Sequence, residues 1–184
     1  MTNTGTHRDD WLTLPNAITV LRFLMIAPIG ILIISDQAPV WTAVLVTVFG
    51  LTDWVDGFLA RRLGQTSRVG ELIDPIADRT GVVAIAVFLV VAGHLPLWIA
   101  IVIAGTDVLL AVFYAFFRNV RIPGVTWLGK VRTAAVMVGL ALIVIGLIPE
   151  TDVLLTVGVV TTAVGAVLHV LTGIGYARAI LRSR

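Results

Sequence analysis

Residues 39–60 read PVWTAVLVTVFGLTDWVDGFLA and residues 71–92 read ELIDPIADRTGVVAIAVFLVVA. Each is an apolar run close to the roughly 20 residues that carry a helix across a bilayer core of about 30 Å. Each also carries carboxylates at the end where the two runs meet. The polar connection from Arg61 to Gly70 is short, so two antiparallel neighbouring helices are the expected reading. Further apolar runs fall at 16–35, 96–117, 129–148 and 152–176, separated by turn formers such as Asp36, Pro39, Gly93, Pro96, Pro149 and Asp152. Six transmembrane helices are predicted.

Composition supports the pattern. The chain has 184 residues, 58% apolar and only 13% charged, with a mean hydropathy of +1.02. A soluble domain is about half apolar and about a quarter charged, so both a soluble globule and a disordered chain are excluded. We expect an all-α integral membrane protein, with a polar tail over 1–11 and a single domain over 12–184. No basic stretch followed by a small-residue cleavage site opens the chain, so no cleaved signal is expected. Cysteine is absent, which removes disulfides and thiolate metal sites.

Orientation follows from the 13 Lys and Arg residues, because basic residues concentrate on the cytoplasmic side. With six spans, Arg8, Arg22, Arg61, Arg62, Arg68, Arg79, Arg118, Arg121, Lys130, Arg132, Arg178, Arg182 and Arg184 all fall on one side. Both termini are therefore expected in the cytoplasm, in the cytoplasmic (inner) membrane. A basic face should attract anionic headgroups, and no nucleic-acid partner is expected. Leu12–Phe23 mixes polar and apolar residues, as a short interfacial approach to the first span would.

The carboxylates decide the chemistry. Positions 53, 56, 57 and 60 share one helical face, as do 71, 74 and 78, so neighbouring helices can bring Asp53, Asp56, Asp74 and Asp78 together. An Asp near the centre of a span costs about 2.5–3.5 kcal/mol, and clustered acids repel. Compensation requires cations, either Arg61, Arg62 or Arg79 or divalent metals, which suit hard oxygen donors. Two metals about 3.5–4 Å apart would clamp an in-line displacement at phosphorus. Gly57 and Ala60 remove bulk from the acidic face, leaving room for a ligand; tight helix packing would use them equally well.

The string Asp53-x2-Asp56-Gly57-x2-Ala60-Arg61-x8-Gly70-x3-Asp74-x3-Asp78 resembles the signature of the CDP-alcohol phosphotransferase family at all its specified positions. Leu14-Pro15-Asn16-Ala17-Ile18-Thr19-Val20-Leu21-Arg22 and Gly129-Lys130-Val131-Arg132-Thr133 resemble flanking segments of its bacterial phosphatidylglycerophosphate and cardiolipin synthases. The resemblance implies a six-span fold, and transfer of a phosphatidyl group from CDP-diacylglycerol to a glycerol-type acceptor with release of CMP. It further implies Asp53, Asp56, Asp74 and Asp78 as ligands of Mg or Mn, two ions in all, with Asp78 also the general base. Asp53, Gly57, Ala60, Arg61 and Gly70 would bind the CDP-lipid, and the protein would be a homodimer.

The acceptor is left open between glycerol 3-phosphate and phosphatidylglycerol, with inositol phosphate as the alternative within the family. A phosphate-bearing acceptor calls for Arg or Lys, and Arg118, Arg121, Lys130 and Arg132 are the candidates, each also explicable as an interfacial anchor. Thr106-Asp107 stands where phosphatidylglycerophosphate synthases carry Arg-Glu. Asp107 is either functional or paired with Arg79 or Arg118. His94 and His169 are expected to be structural. A cation or proton transporter would also place acids in helices, but with broken helices in both halves of a repeat. A non-catalytic interaction protein leaves four Asp residues unexplained.

Overall fold

The computed structural model describes the backbone at residues 14–63, 68–116 and 127–182, and side chains at 17–52, 76–112, 127–175 and 178. It is all helical among those residues. The elements are α1 (Leu14–Ser35), α2 (Pro39–Leu63), α3 (Arg68–Val91), α4 (Leu97–Phe116), α5 (Trp127–Ile145) and α6 (Asp152–Arg182). Each predicted run has its helix. The polar tail over 1–11 lies outside the described residues.

Three connections are tight because the local residues permit tight turns. Gly93 ends α3 with a φ of 82°, and the His94 and Leu95 amides donate back to the Leu89 carbonyl at 2.8 and 3.2 Å. This left-handed closure is open to glycine without a Cβ penalty. Thr151 closes the α5–α6 turn by donating its hydroxyl to the Ile145 and Ile148 carbonyls at 2.8 and 2.6 Å.

The helices form a closed ring in the order α1, α2, α5, α6, α4, α3, with α3 also touching α5 across it. Thus α1 packs against both α2 and α3. The α5–α6 hairpin is the most extensive pairing, and a seam of small residues explains why. A Cβ on Gly139 would lie 2.6 Å from the Thr162 backbone nitrogen, and one on Gly165 would lie 2.7 Å from Val136 Cγ2. Where hydrocarbon surrounds the helices, such close backbone approach replaces the hydrophobic effect as the source of helix association. On α1, Gly30 similarly receives the ring of Phe88 from α3.

The bundle has two unlike ends. Near the three tight connections the interior is apolar, built from Ile33, Leu89, Leu95, Ile99, Ile143 and Val144. Toward the other end it holds Thr19, Arg22, Arg132, His169 and Thr172. The outer surface is the reverse of a soluble protein's, with Leu24, Ile31, Trp41, Leu109, Val153 and Leu171 all exposed. Among the described residues, three helices are long and apolar enough to cross a membrane, at Ala17–Ser35, Trp127–Ile145 and Asp152–Gly175; shorter apolar stretches cover Pro39–Thr52 and Leu97–Val112.

The segment expected as an interfacial approach differs in detail. From Leu14 it is already the start of α1, and from Thr19 its polar face turns inward, with Thr19 and Arg22 buried while Val20, Leu21 and Leu24 face out. The reason is a partner for Arg22 inside the bundle, described below.

Replacing Gly139 by Val should force α5 and α6 apart. We expect a loss of about 1–3 kcal/mol, typical of overpacking, seen as a fall of several degrees in the thermal midpoint of the detergent-solubilised protein. Gly105→Val, where an added Cβ meets no atom within 4 Å, should cost at most about 1 kcal/mol.

Candidate active site

The eight positions of the acidic string lie in two helices, Asp53, Asp56, Gly57, Ala60 and Arg61 toward the end of α2 and Gly70, Asp74 and Asp78 in the first half of α3; the expected neighbours α2 and α3 are not adjacent in the ring and approach each other across it. Of these, Asp78 has a described side chain, and those at 53–75 lie outside the described residues. Just beyond the acids, the Phe49 ring of α2 fills the space that a Cβ on Gly81 of α3 would take. Helical periodicity places Phe49 on the same face as 53, 56 and 60, and Gly81 on the same face as 78, 74 and 70. The faces that carry the acids are therefore continuous with the faces that meet at Phe49 and Gly81.

Asp78 is paired with Arg22 of α1, whose Nη1 donates to Asp78 Oδ1. The Arg22 side chain is 1% exposed and that of Asp78 34%. Arg61, Arg62 and Arg79, or divalent metals, are the expected compensation; Arg61 and Arg62 lie outside the described side chains, and Arg22 is a partner of Asp78 among the described residues. A usable signal existed in the sequence. Thr19 and Arg22 lie three residues apart in an apolar run, on one helical face, and an arginine at such a depth needs an interior partner.

Arg79 turns to the opposite neighbour. Its Nη1 donates to Asp107 Oδ1 on α4, and His169 on α6 lies 2.9 Å from the same oxygen through Nε2. A carboxylate can only accept, so Nε2 carries the hydrogen. Of the two partners expected for Asp107, Arg79 is paired with it, and Arg118 lies outside the described residues. His169, expected to be structural, is buried and has a carboxylate as its partner. The α4–α6 approach is close here, since a Cβ on Gly173 would lie 3.1 Å from Thr106 Cγ2.

Arg132 of α5 completes the polar end. It is buried, and its positive field reaches His169, as does that of Arg79. Continuing the α5–α6 register by one turn from Val136 and Gly165 brings Arg132 level with His169. Among the acceptor-phosphate candidates, Lys130 is exposed while Arg132 points inward; Arg118 and Arg121 lie outside the described residues. Among the described residues, no three His, Asp or Glu side chains converge as a metal site would require.

Residues 12–171 match the CDP-alcohol phosphatidyltransferase family. The chain is 35% identical over 167 residues to a protein of Sodalis glossinidius named CDP-diacylglycerol–glycerol-3-phosphate 3-phosphatidyltransferase, covering 85% of this chain and 88% of that one. It is 32% identical over 136 residues to a Salmonella choleraesuis protein of the same name, covering 70% and 74%. It is also 34% identical over 137 residues to a Mycobacterium tuberculosis protein named "Putative cardiolipin synthase". That match covers 73% of this chain and 66% of the relative, just under two thirds of its length. The chain belongs to the CDP-alcohol phosphatidyltransferase family, an enzyme family of phospholipid-synthesising transferases that is generally metal-dependent.

Removing the Asp107 carboxylate takes from Arg79 and His169 the negative charge they share. Arg79 is half exposed and recovers solvation, whereas His169 is buried. A thermal-unfolding double-mutant cycle of Asp107→Asn with His169→Gln should therefore show a coupling of about 0.5–3 kcal/mol. Asp107→Asn with Arg79→Gln should couple more weakly.

Proposed function

We propose that this protein transfers a phosphatidyl group from CDP-diacylglycerol to the hydroxyl of a glycerol-type acceptor, glycerol 3-phosphate or phosphatidylglycerol, and releases CMP. The observation that supports the proposal is the complete acidic string of α2 and α3, in a bundle one end of which buries charged groups. Sodalis and Salmonella relatives named for glycerol 3-phosphate, and a mycobacterial one named for cardiolipin, support a glycerol-type acceptor of either kind.

Asp53, Asp56, Asp74 and Asp78 form an all-oxygen donor set, the chemistry that Mg and Mn favour. These residues would hold divalent metal, two ions on this reading, which would supply positive charge to neutralise the diphosphate and the leaving CMP. Gly57, Ala60 and Gly70 leave space for the nucleotide, and Arg61 pairs with the diphosphate. Asp78 accepts the acceptor's hydroxyl proton while the oxygen bonds to the phosphorus that bears diacylglycerol. The bond from that phosphorus to the anhydride oxygen breaks, and CMP departs with the electron pair. Arg22, fixed inside the bundle, aims the Asp78 carboxylate. Lys130, Arg132, Arg118 and Arg121 are the groups offered to an acceptor phosphate.

We read residues 12–184 as one membrane domain with six crossings, working as a homodimer. The tight connections face outward, and both termini and the acidic site face the cytoplasm. The one-sided placement of the basic residues supports this orientation.

The test is CMP release by the purified chain from CDP-diacylglycerol with Mg or Mn, with glycerol 3-phosphate, phosphatidylglycerol and inositol phosphate supplied separately. Release is expected with one of the glycerol-type acceptors and should stop on chelation. Asp78→Asn should lower turnover at least a thousandfold, and Arg61→Ala should raise KM for the CDP-lipid about tenfold. No release with either glycerol-type acceptor in the presence of metal would overturn the proposal.

A further inference from the structure

Asp78 and Arg79 are adjacent on α3 and are held from different sides, the first by Arg22 of α1 and the second by Asp107 of α4. Helix α3 packs extensively on α1, while its approach to α4 is slighter. The two arms of the α3–α4 hairpin are joined at the apolar end, around Gly93. At about 1.5 Å per residue, Arg79 lies about 18 Å before Val91 and Asp107 about 15 Å after Leu97. The ion pair therefore ties the two arms together at like height, far from their connection. Asp107 is itself fixed. The buried His169 of α6 lies 2.9 Å from the same Oδ1 atom that receives Arg79 Nη1, and an oxygen with two lone pairs can accept both hydrogens. A chain of contacts thus runs from α6 through α4 to the residue next to Asp78.

What such a chain controls is the rotation of α3. An atom about 5 Å from a helix axis moves about 1 Å when the helix turns by about 12°. A misplacement of that size costs a reaction about a hundredfold. It costs folding far less, because half-exposed Arg79 recovers solvation when released. The rotation of α3 can be read from two residues beside Asp78: Ala77 is 1% exposed, facing the interior, and Ile76 is 54% exposed.

We infer that Asp107, held by His169 and acting through Arg79, is a positioning residue for Asp78. The inference rests on the proposed role of Asp78 as the base, and goes beyond it by naming what keeps that carboxylate aimed at the acceptor hydroxyl. A residue that only aims the base leaves binding of the CDP-lipid as it was, so its loss falls on kcat and spares KM. Because Asp107 acts through Arg79, removing both costs no more than removing one; two groups that each touched a substrate independently would lose activity in multiplied steps.

Two measurements on the full-length protein test this. In the first, CMP release is followed in Asp107→Asn, Arg79→Gln and the double variant. Each single change should lower kcat at least about tenfold while KM for CDP-diacylglycerol stays within about twofold of the wild type. The double variant should match the slower single one, and Arg79→Lys, which keeps the charge, should recover most of kcat. Arg79→Gln should show this loss while keeping most of its thermal stability. In the second, the absence of cysteine from the chain lets one introduced thiol report on α3 alone. Ala77→Cys should react slowly with N-ethylmaleimide and Ile76→Cys quickly. Adding Asp107→Asn should speed the reaction at 77 about tenfold and leave that at 76 within about twofold. Losses that multiply in the double variant, a KM that rises with the fall in kcat, or an unchanged rate at 77 in the folded variant would overturn the inference. Should the wild type release no CMP, the proposed reaction fails, and labelling at 77 alone then decides whether Asp107 holds α3.

Discussion

A charge inside an apolar bundle must meet an opposite charge or a hydrogen-bonding partner, because the medium around it cannot solvate it. The polar end of this protein is arranged around that requirement. Adjacent residues of α3 point to opposite neighbours: Asp78 to Arg22 of α1, and Arg79 to Asp107 of α4, which His169 of α6 also reaches. Four helices are tied together by two consecutive residues. The rotation of α3 about its axis, and with it the aim of Asp78, is held from both sides.

Away from these charges the bundle is held by shape. Gly139 and Gly165 let α5 and α6 meet backbone to backbone, and Gly30 and Gly81 accept the rings of Phe88 and Phe49. These contacts lose dispersion steeply with distance, so they tolerate little movement. The body of the bundle is thus fixed by packing, while one end gathers charged groups whose partners come from different helices. That division suits chemistry on an anionic headgroup whose tails remain in the hydrocarbon.

Much of this was legible in the sequence for simple reasons. Helix number and limits follow from runs of apolar residues broken by Gly93, Pro96 and Pro149, and these signals are local. The acidic string is equally local, since its spacing alone puts Asp53 and Asp56 on one face and Asp74 and Asp78 on another. The pairing of Asp107 with Arg79 was one of two partners that the charge pattern allowed. The link from His169 to Asp107 carried no such signal. Neither residue spacing nor hydropathy says which helices become neighbours.

By itself the sequence determined the elements, their apolar character and the acidic string carried by α2 and α3, because each depends on residues within a few turns of one another. Tertiary structure decided the order of helices around the ring, and so which charges meet. Arg22 and Asp78 are 56 positions apart, and Asp107 and His169 are 62 apart. Such pairs are joined only when packing of glycine seams and aromatic rings has chosen the neighbours, since in a membrane-like surrounding it is close contact, more than apolar character, that distinguishes one helix face from another.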